Sequence, residues 1–115
     1  MEYLQELRSI QELDQALDES RERTVLFFKH SLTCSISIRA FNELQSYLNN
    51  ADPRISYKLI TVQTARPVSD EAASRLRLDH ESPQAILVRN GRELWNASHY
   101  EITTDALAQA IKNTN

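Results

Sequence analysis

Cysteine is almost absent from this chain, since Cys34 is the only one among 115 residues. A single cysteine excludes an internal disulfide, and one free thiol is typical of a reducing compartment. Glycine is equally scarce, because Gly91 is the only one. It follows Asn90, and Asn-Gly is the strongest short signal for a β-hairpin turn. We therefore expect Gly91 alone to supply the positive φ of that turn.

Long apolar runs and basic blocks are also missing. No stretch approaches the roughly 18 apolar residues of a membrane span. The first residues combine neither a basic segment nor an apolar one, so we expect no signal peptide. The net charge of −3 gives no reason to expect nucleic acid as a partner. These absences predict a cytoplasmic protein that binds neither membranes nor nucleic acids.

The remaining composition is that of an ordinary globular domain, with 41% hydrophobic and 25% charged residues. The length predicts a single domain over residues 1–115. Residues 9–12 have the Ser-x-x-Glu form of a capping box, and Leu13 and Leu17 continue an apolar helical face. We expect residues 1–23 to be an N-terminal helical extension of the same domain.

Strand and helix signals then alternate along the chain. A strand–helix–strand order implies a right-handed crossover with a parallel pair, and the Asn90-Gly91 turn adds an antiparallel hairpin. The sequence therefore predicts an α/β domain with a mixed four-stranded sheet and helices on both faces. The predicted elements are strands over residues 24–29, 55–62, 84–89 and 92–97, a helix over about 35–49, a loop over 64–68, a helix capped by Ser69 with Val68 and Ala73 as its hydrophobic staple, and a last helix capped by Thr103 or Thr104.

Cys34 lies where the first predicted strand gives way to a helix. A helix N-terminus presents unpaired N–H groups and the positive end of the helix dipole. Both favour the thiolate, which is the nucleophilic form of cysteine. Cys34 is therefore the candidate nucleophile, and the alternative is a small buried apolar residue. Ser37 stands where a Cys-x-x-Cys motif has its second cysteine, so the chain offers no resolving thiol.

Four neighbours of Cys34 have candidate supporting roles. The Ser37 hydroxyl either donates to the thiolate or bonds the backbone as an ordinary first-turn serine. Thr33 or Ser35 is expected to cap the helix, and the Ser35 N–H is a candidate donor to the sulfur. His30 ends the strand; a protonated His30 favours the thiolate, and the alternative is a histidine bonded to the backbone.

The spacing of the three histidines and Cys34 matches no tight zinc motif, so we expect no metal site. His80 and His99 are expected either to be structural or to line a client groove. Trp95 and Tyr100 are expected to pack in the core or against a strand.

The order of elements is similar to the thioredoxin fold. In that fold the redox cysteine lies at the same junction, a cis-proline precedes the third core strand, and a basic-Asn-Gly turn follows it. Pro83 and residues 89–91 match these features. Pro83 also follows the polar residues 79–81 and directly precedes an apolar strand, where its missing N–H is tolerated. These features and the resemblance together predict a cis Ser82–Pro83 bond, with Pro83 in contact with Cys34 and the Ser82 backbone open to an extended client segment.

The chain contains three sequence blocks: His30-Ser31-x-Thr33-Cys34-x-Ile36-Ser37, residues 80–86, and Trp95-x-Ala97-Ser98-His99. Together they resemble the YtxJ-type monothiol bacilliredoxins. Family members usually read Thr-Cys-Pro-Ile-Ser around the thiol, whereas this chain has Ser35 in place of the proline. The resemblance implies a thiol–disulfide oxidoreductase in which Cys34 removes bacillithiol from mixed disulfides on cytoplasmic client proteins. Bacillithiol is then a thiol co-substrate, no cofactor is bound, and bacillithiol or an external reductase releases the adduct.

Two other classes of function are compatible with the sequence. The first is a thioredoxin-fold binding module whose cysteine is incidental. The second is an iron–sulfur carrier that holds a cluster between two chains with an external thiol. A cluster absorbs visible light, and mass spectrometry after incubation with oxidised bacillithiol detects an adduct on Cys34. These two measurements separate the three classes.

Overall fold

The computed structural model describes residues 3–114 and contains five strands and four α-helices. The strands are β1 (Leu4–Glu6), β2 (Val25–His30), β3 (Ser56–Thr61), β4 (Gln84–Arg89) and β5 (Arg92–Ser98). The helices are α1 (Ile10–Glu19), α2 (Ser35–Leu48), α3 (Arg66–Leu76) and α4 (Thr104–Lys112), and a short 3₁₀ helix (His99–Glu101) follows β5. None of the helices within residues 3–114 is long and apolar enough to cross a membrane.

The strands form one mixed sheet in the order β1-β3-β2-β4-β5. β3 pairs in parallel with β1 and β2, and β4 pairs antiparallel with β2 and β5. Every residue of β2 is buried, because helices cover both faces of the sheet. Its alternating side chains enter two clusters: Phe28 packs with α2 and α4, and Phe27 packs with α1 and α3.

The prediction of a four-stranded sheet is wrong, because the structure adds β1 at one edge. Leu4 is aligned with Tyr57 of β3. A helical extension over residues 1–23 is not confirmed either: α1 forms, but a strand precedes it, and Leu7 and Leu13 are buried in the sheet's own core. Three residues are too few to show the alternation by which a strand is recognised in sequence.

The predicted capping box at Ser9 is only half formed. The Ser9 hydroxyl accepts the Glu12 N–H at 3.1 Å, but the Glu12 carboxylate accepts the Arg8 N–H instead of that of Ser9. A complete reciprocal box lies at the 3₁₀ helix, between Ser98 and Glu101.

The predicted start of α3 is wrong by one turn. The helix begins at Arg66, and Pro67 lies in its first turn, where a missing N–H is tolerated. Ser69 is therefore a buried helical residue whose hydroxyl lies 3.2 Å from His80 Nδ1, and Val68 is a core residue of the same helix.

The hairpin turn is confirmed, with one correction. Gly91 has φ 71°, but Asn90 also has a positive φ of 54°, as a type I′ turn requires. β4 has the predicted bounds, and β5 extends one residue further, to Ser98.

Candidate active site around Cys34

Cys34 is the N-cap residue of α2. Its backbone is extended (φ −100°, ψ 124°), and its carbonyl accepts the Ile38 N–H at 3.0 Å. The side chain is a free, half-buried thiol. The prediction that Thr33 or Ser35 caps the helix is wrong, because Ser35 is already the first helical residue and the helix has no side-chain cap.

At the start of α2, no side chain within residues 3–114 accepts a hydrogen bond from the first-turn N–H groups, so these donors are available to the Cys34 sulfur. An N-cap side chain normally accepts a first-turn N–H, and here that side chain is the thiol. The first turn also contains no acidic residue that would compete for the positive end of the dipole. In general, the N-terminus of a helix favours an anion at the N-cap position.

The Ser37 hydroxyl is hydrogen-bonded to residues that precede Cys34 in the chain. It is fully buried, accepts the Ser31 N–H at 2.8 Å and lies 3.0 Å from His30 Nδ1. Of the two alternatives for Ser37, the structure therefore favours the backbone-bonded serine. The side chain links the first turn of α2 to the segment that precedes Cys34.

The sequence left open whether His30 is a cationic neighbour of the thiol or a histidine bonded to the backbone, and its surroundings in the structure favour the uncharged imidazole. It is 6% exposed and its ring stacks on Phe41 with centroids 4.7 Å apart. Burial lowers its pKa below the ordinary value of 6.5. The imidazole is therefore neutral at neutral pH, and its role at this site is packing and contact with Ser37.

Gln63 belongs to the site although the sequence did not single it out. Its side chain lies in the β3–α3 connection and makes hydrogen bonds to Ser31, Leu32 and Thr33. No local signal identifies such a residue, because it is an exposed polar residue after a strand and its partners lie on the preceding β–α connection.

The Ser82–Pro83 bond is cis, as predicted. Pro83 is buried, and its carbonyl accepts the His99 N–H at 3.1 Å. The β2–β4 register places Pro83 one step beyond the Lys29–Gln84 pair, at the end of β2 that leads to Cys34. Contact between Pro83 and the sulfur, and the open Ser82 backbone, stay predictions.

Exposed apolar side chains flank the thiol in sequence. Leu32 is 54% exposed, two residues before Cys34, and Ile38 is 47% exposed, four residues after it. Tyr100 is 64% exposed under the Arg39 guanidinium, 5.4 Å from the ring centroid, so its prediction as a packed aromatic is wrong. Trp95 does pack against the core.

The three histidines lie in different surroundings. His80 Nδ1 contacts Lys29 Nζ at 3.3 Å, whereas His99 Nε2 lies 3.9 Å from a Glu81 carboxylate oxygen. Within residues 3–114 no three His, Cys, Asp or Glu residues are grouped as metal ligands.

Lys29 is fully buried, and desolvation lowers its pKa to about 8.

A mixed sheet with a single thiol at the N-cap of the helix after a central strand defines a redox protein of the thioredoxin class. The chain belongs to a particular family of that class, the monothiol bacilliredoxins: the family described as monothiol bacilliredoxin BrxC matches residues 5–107.

Solved structures agree with the thioredoxin fold. The chain is 34% identical to a protein described as a candidate oxidoreductase with a thioredoxin fold, with a TM-score of 0.83 over 96% of this chain and 95% of that one. Fasciola hepatica thioredoxin is 14% identical (TM-score 0.75; 96% and 99% covered), and mitochondrial thioredoxin 3 from Saccharomyces cerevisiae is also 14% identical (TM-score 0.72; 96% and 94% covered). At such low identity these two thioredoxins show the fold alone, and the predicted thioredoxin-like fold is confirmed.

Proposed function

We propose that this protein removes bacillithiol from mixed disulfides on cytoplasmic client proteins, through Cys34 and without a second protein thiol. One observation carries the proposal: the only thiol stands at the uncapped N-terminus of α2, while the position of a resolving cysteine holds Ser37. The Ser37 hydroxyl is already bonded to Ser31 and His30. Membership of the monothiol bacilliredoxin family supports the choice of bacillithiol.

The reaction is two thiol–disulfide exchanges. In the first, the Cys34 thiolate attacks the bacillithiol sulfur, the mixed disulfide breaks, and the client leaves as a thiolate. In the second, the thiolate of free bacillithiol attacks the bacillithiol sulfur held on Cys34, releasing oxidised bacillithiol and the Cys34 thiolate. The client cysteine is reduced and two bacillithiol molecules become one disulfide, so that electrons balance without a bound cofactor. An external reductase is the alternative source of electrons for the second step.

Residues around the sulfur have distinct roles in this proposal. The start of α2 stabilises the attacking thiolate. Ser82 and Pro83, together with the exposed Leu32 and Ile38, form the side that receives the client. Ser35 in place of the usual proline leaves the helix start intact, because it is the first helical residue, a position that proline favours and serine also accepts.

Intact-mass spectrometry tests the proposal. Reduced protein is mixed with a cysteine peptide that carries bacillithiol as a mixed disulfide. We expect free peptide and a transient bacillithiol adduct on Cys34, which disappears when free bacillithiol is added. A disulfide-linked dimer as the only product, or unchanged peptide, contradicts the mechanism. A visible absorption band in the purified protein would instead favour the iron–sulfur carrier.

A further inference from the structure

A glutamine from the neighbouring strand lies beside the residues that precede the thiol. Gln63 comes two residues after the end of β3. The Val62 N–H donates to the carbonyl of His30, the last residue of β2, at 2.9 Å, so the parallel pairing of β2 and β3 continues one residue past the end of β3. This continuation carries Gln63 to residues 31–33, which are distant from it in sequence.

One side-chain amide makes three hydrogen bonds to that segment. Gln63 Oε1 accepts the Leu32 N–H at 3.0 Å, and Nε2 donates to Ser31 Oγ at 2.7 Å and to Thr33 Oγ1 at 3.2 Å. A backbone N–H is only a donor, so the amide oxygen must face Leu32, and this fixes the orientation of the amide. Each residue between β2 and Cys34 is thus bonded to the same side chain.

The segment 31–33 is also hydrogen-bonded to the first turn of α2. Ser31 donates its N–H to the buried Ser37 hydroxyl at 2.8 Å. Residues 31–33 are therefore held between the end of β3 and the first turn of α2, and the freedom of Cys34 to move relative to the sheet is reduced. Gln63 itself is exposed, so its replacement removes the hydrogen bonds but little apolar packing.

We propose that Gln63 is a positioning residue for thiol–disulfide exchange: its amide holds residues 31–33 so that the Cys34 sulfur is aimed along the S–S bond of a docked mixed disulfide. This inference rests on the proposed function. Exchange requires the attacking, central and leaving sulfur atoms to lie nearly in line. A displacement of about 1 Å costs up to about 10²-fold in the rate of a reaction between positioned groups. Gln63 forms and breaks no bond in the reaction.

The test compares two reactions of the same thiol in Gln63→Met, which keeps the side-chain length and removes the hydrogen bonds. We expect the rate constant for exchange with the bacillithiol-carrying peptide to fall about tenfold or more. The rate of alkylation by iodoacetamide should change less than twofold, because that small reagent is not held by the protein and approaches from any direction. Hydrogen exchange of the Leu32 amide should accelerate at least tenfold, while the Ser31 amide keeps its protection.

Two further variants complete the comparison. Gln109→Met is the matched control, because Gln109 is an exposed glutamine on α4 bonded to Asn113, and it should leave both rates unchanged. Gln63→Asn keeps the amide but is one methylene shorter, so it should behave like Gln63→Met. If both Gln63 variants exchange as fast as the wild type, the positioning role is wrong. An equal fall in the rates of exchange and alkylation also overturns it, because the substitutions would then have lowered the reactivity of the Cys34 thiol itself rather than changed the orientation of its sulfur.

A second peptide, carrying glutathione in place of bacillithiol, separates this inference from the proposed function. If the wild type reacts only with the glutathione peptide, the bacillithiol assignment fails and the Gln63 comparison is made with that peptide. If the wild type reacts with neither peptide, both proposals are wrong.

Discussion

At the scale of single residues, the site depends on where Cys34 stands rather than on a charged neighbour. His30 is buried and neutral, and the Ser37 hydroxyl is engaged elsewhere. The groups available to stabilise a thiolate are therefore the backbone N–H groups at the start of α2.

Cys34→Ala should abolish release of bacillithiol while leaving the fold intact. The side chain is half-exposed, so the substitution should change the free energy of unfolding by less than about 1 kcal/mol. The measurements are peptide turnover and a urea denaturation curve. A variant that still removes bacillithiol rules out Cys34 as the nucleophile, and one that unfolds indicates a structural cysteine.

Because Lys29 is buried, we expect the free energy of unfolding to rise at alkaline pH. Lys29 is fully buried beside His80, and burial lowers its pKa from 10.5 to about 8 while Asp70 opposes the shift. Between these two values the unfolded chain binds more protons than the folded chain, so stability increases as pH rises from about 8 towards 10. The gain has an upper limit of about 3 kcal/mol, because one pKa unit corresponds to about 1.4 kcal/mol.

Lys29→Met should remove this rise and make the protein more stable than the wild type at pH 7. Urea denaturation at pH 7 and pH 9.5 measures both effects. The exposed Lys112→Met is the control and should retain the wild-type rise. Parallel pH profiles of the wild type and Lys29→Met would show that the Lys29 ammonium is not desolvated.

At the scale of elements, the N-termini of α2 and α4 differ in how they are capped. α2 begins without a side-chain cap, whereas the Thr103 hydroxyl accepts the Ala106 N–H at 3.0 Å. The sequence left Thr103 and Thr104 open as caps, and the structure assigns them separate roles. Thr103 caps α4, and Thr104 donates its N–H to the Glu43 carboxylate at 2.7 Å, which ties α4 to α2.

Thr103→Ala should lower the free energy of unfolding by about 1 kcal/mol, the usual contribution of an N-cap hydroxyl. In a chain of this size the melting temperature should fall by about 4 °C. Thr103→Ser is the matched control, because it retains the oxygen and should melt close to the wild type. Equal melting of the alanine and serine variants would mean that the hydroxyl contributes nothing to the helix.

At the scale of the whole molecule, the stability of the domain depends on pH through two histidines, one on each face of the sheet. His30 packs with Phe41 on the face of α2, while His80 contacts Lys29 and Ser69 on the face of α3. Burial lowers the pKa of both imidazoles, and the Lys29 ammonium lowers that of His80 further.

Stability should therefore fall as pH drops below about 6.5, because the unfolded chain takes up protons on these histidines before the folded chain does. The urea midpoint should be lower at pH 5 than at pH 7. His30→Phe keeps a stacked ring and should reduce the difference. A midpoint independent of pH in the wild type contradicts this expectation.

Local chemistry determined a large part of this protein from sequence alone. β4 and the Asn90-Gly91 turn were predictable because strand composition and turn residues act over a few positions. The same holds for the junction that places Cys34 at a helix N-terminus. The cis Ser82–Pro83 bond was predicted from the residues around Pro83 together with the resemblance to a known fold.

Only the tertiary structure decided the rest. β1 is a strand because the edge of β3 is available to it, and three residues carry no periodic signal of their own. Lys29 lies in the central strand β2, and its desolvation depends on helices that cover both faces of the sheet. Gln63 joins the site because parallel pairing brings two β–α connections together. In each case the deciding contact is made between parts of the chain that are far apart in sequence, and such contacts exist only once the sheet has formed.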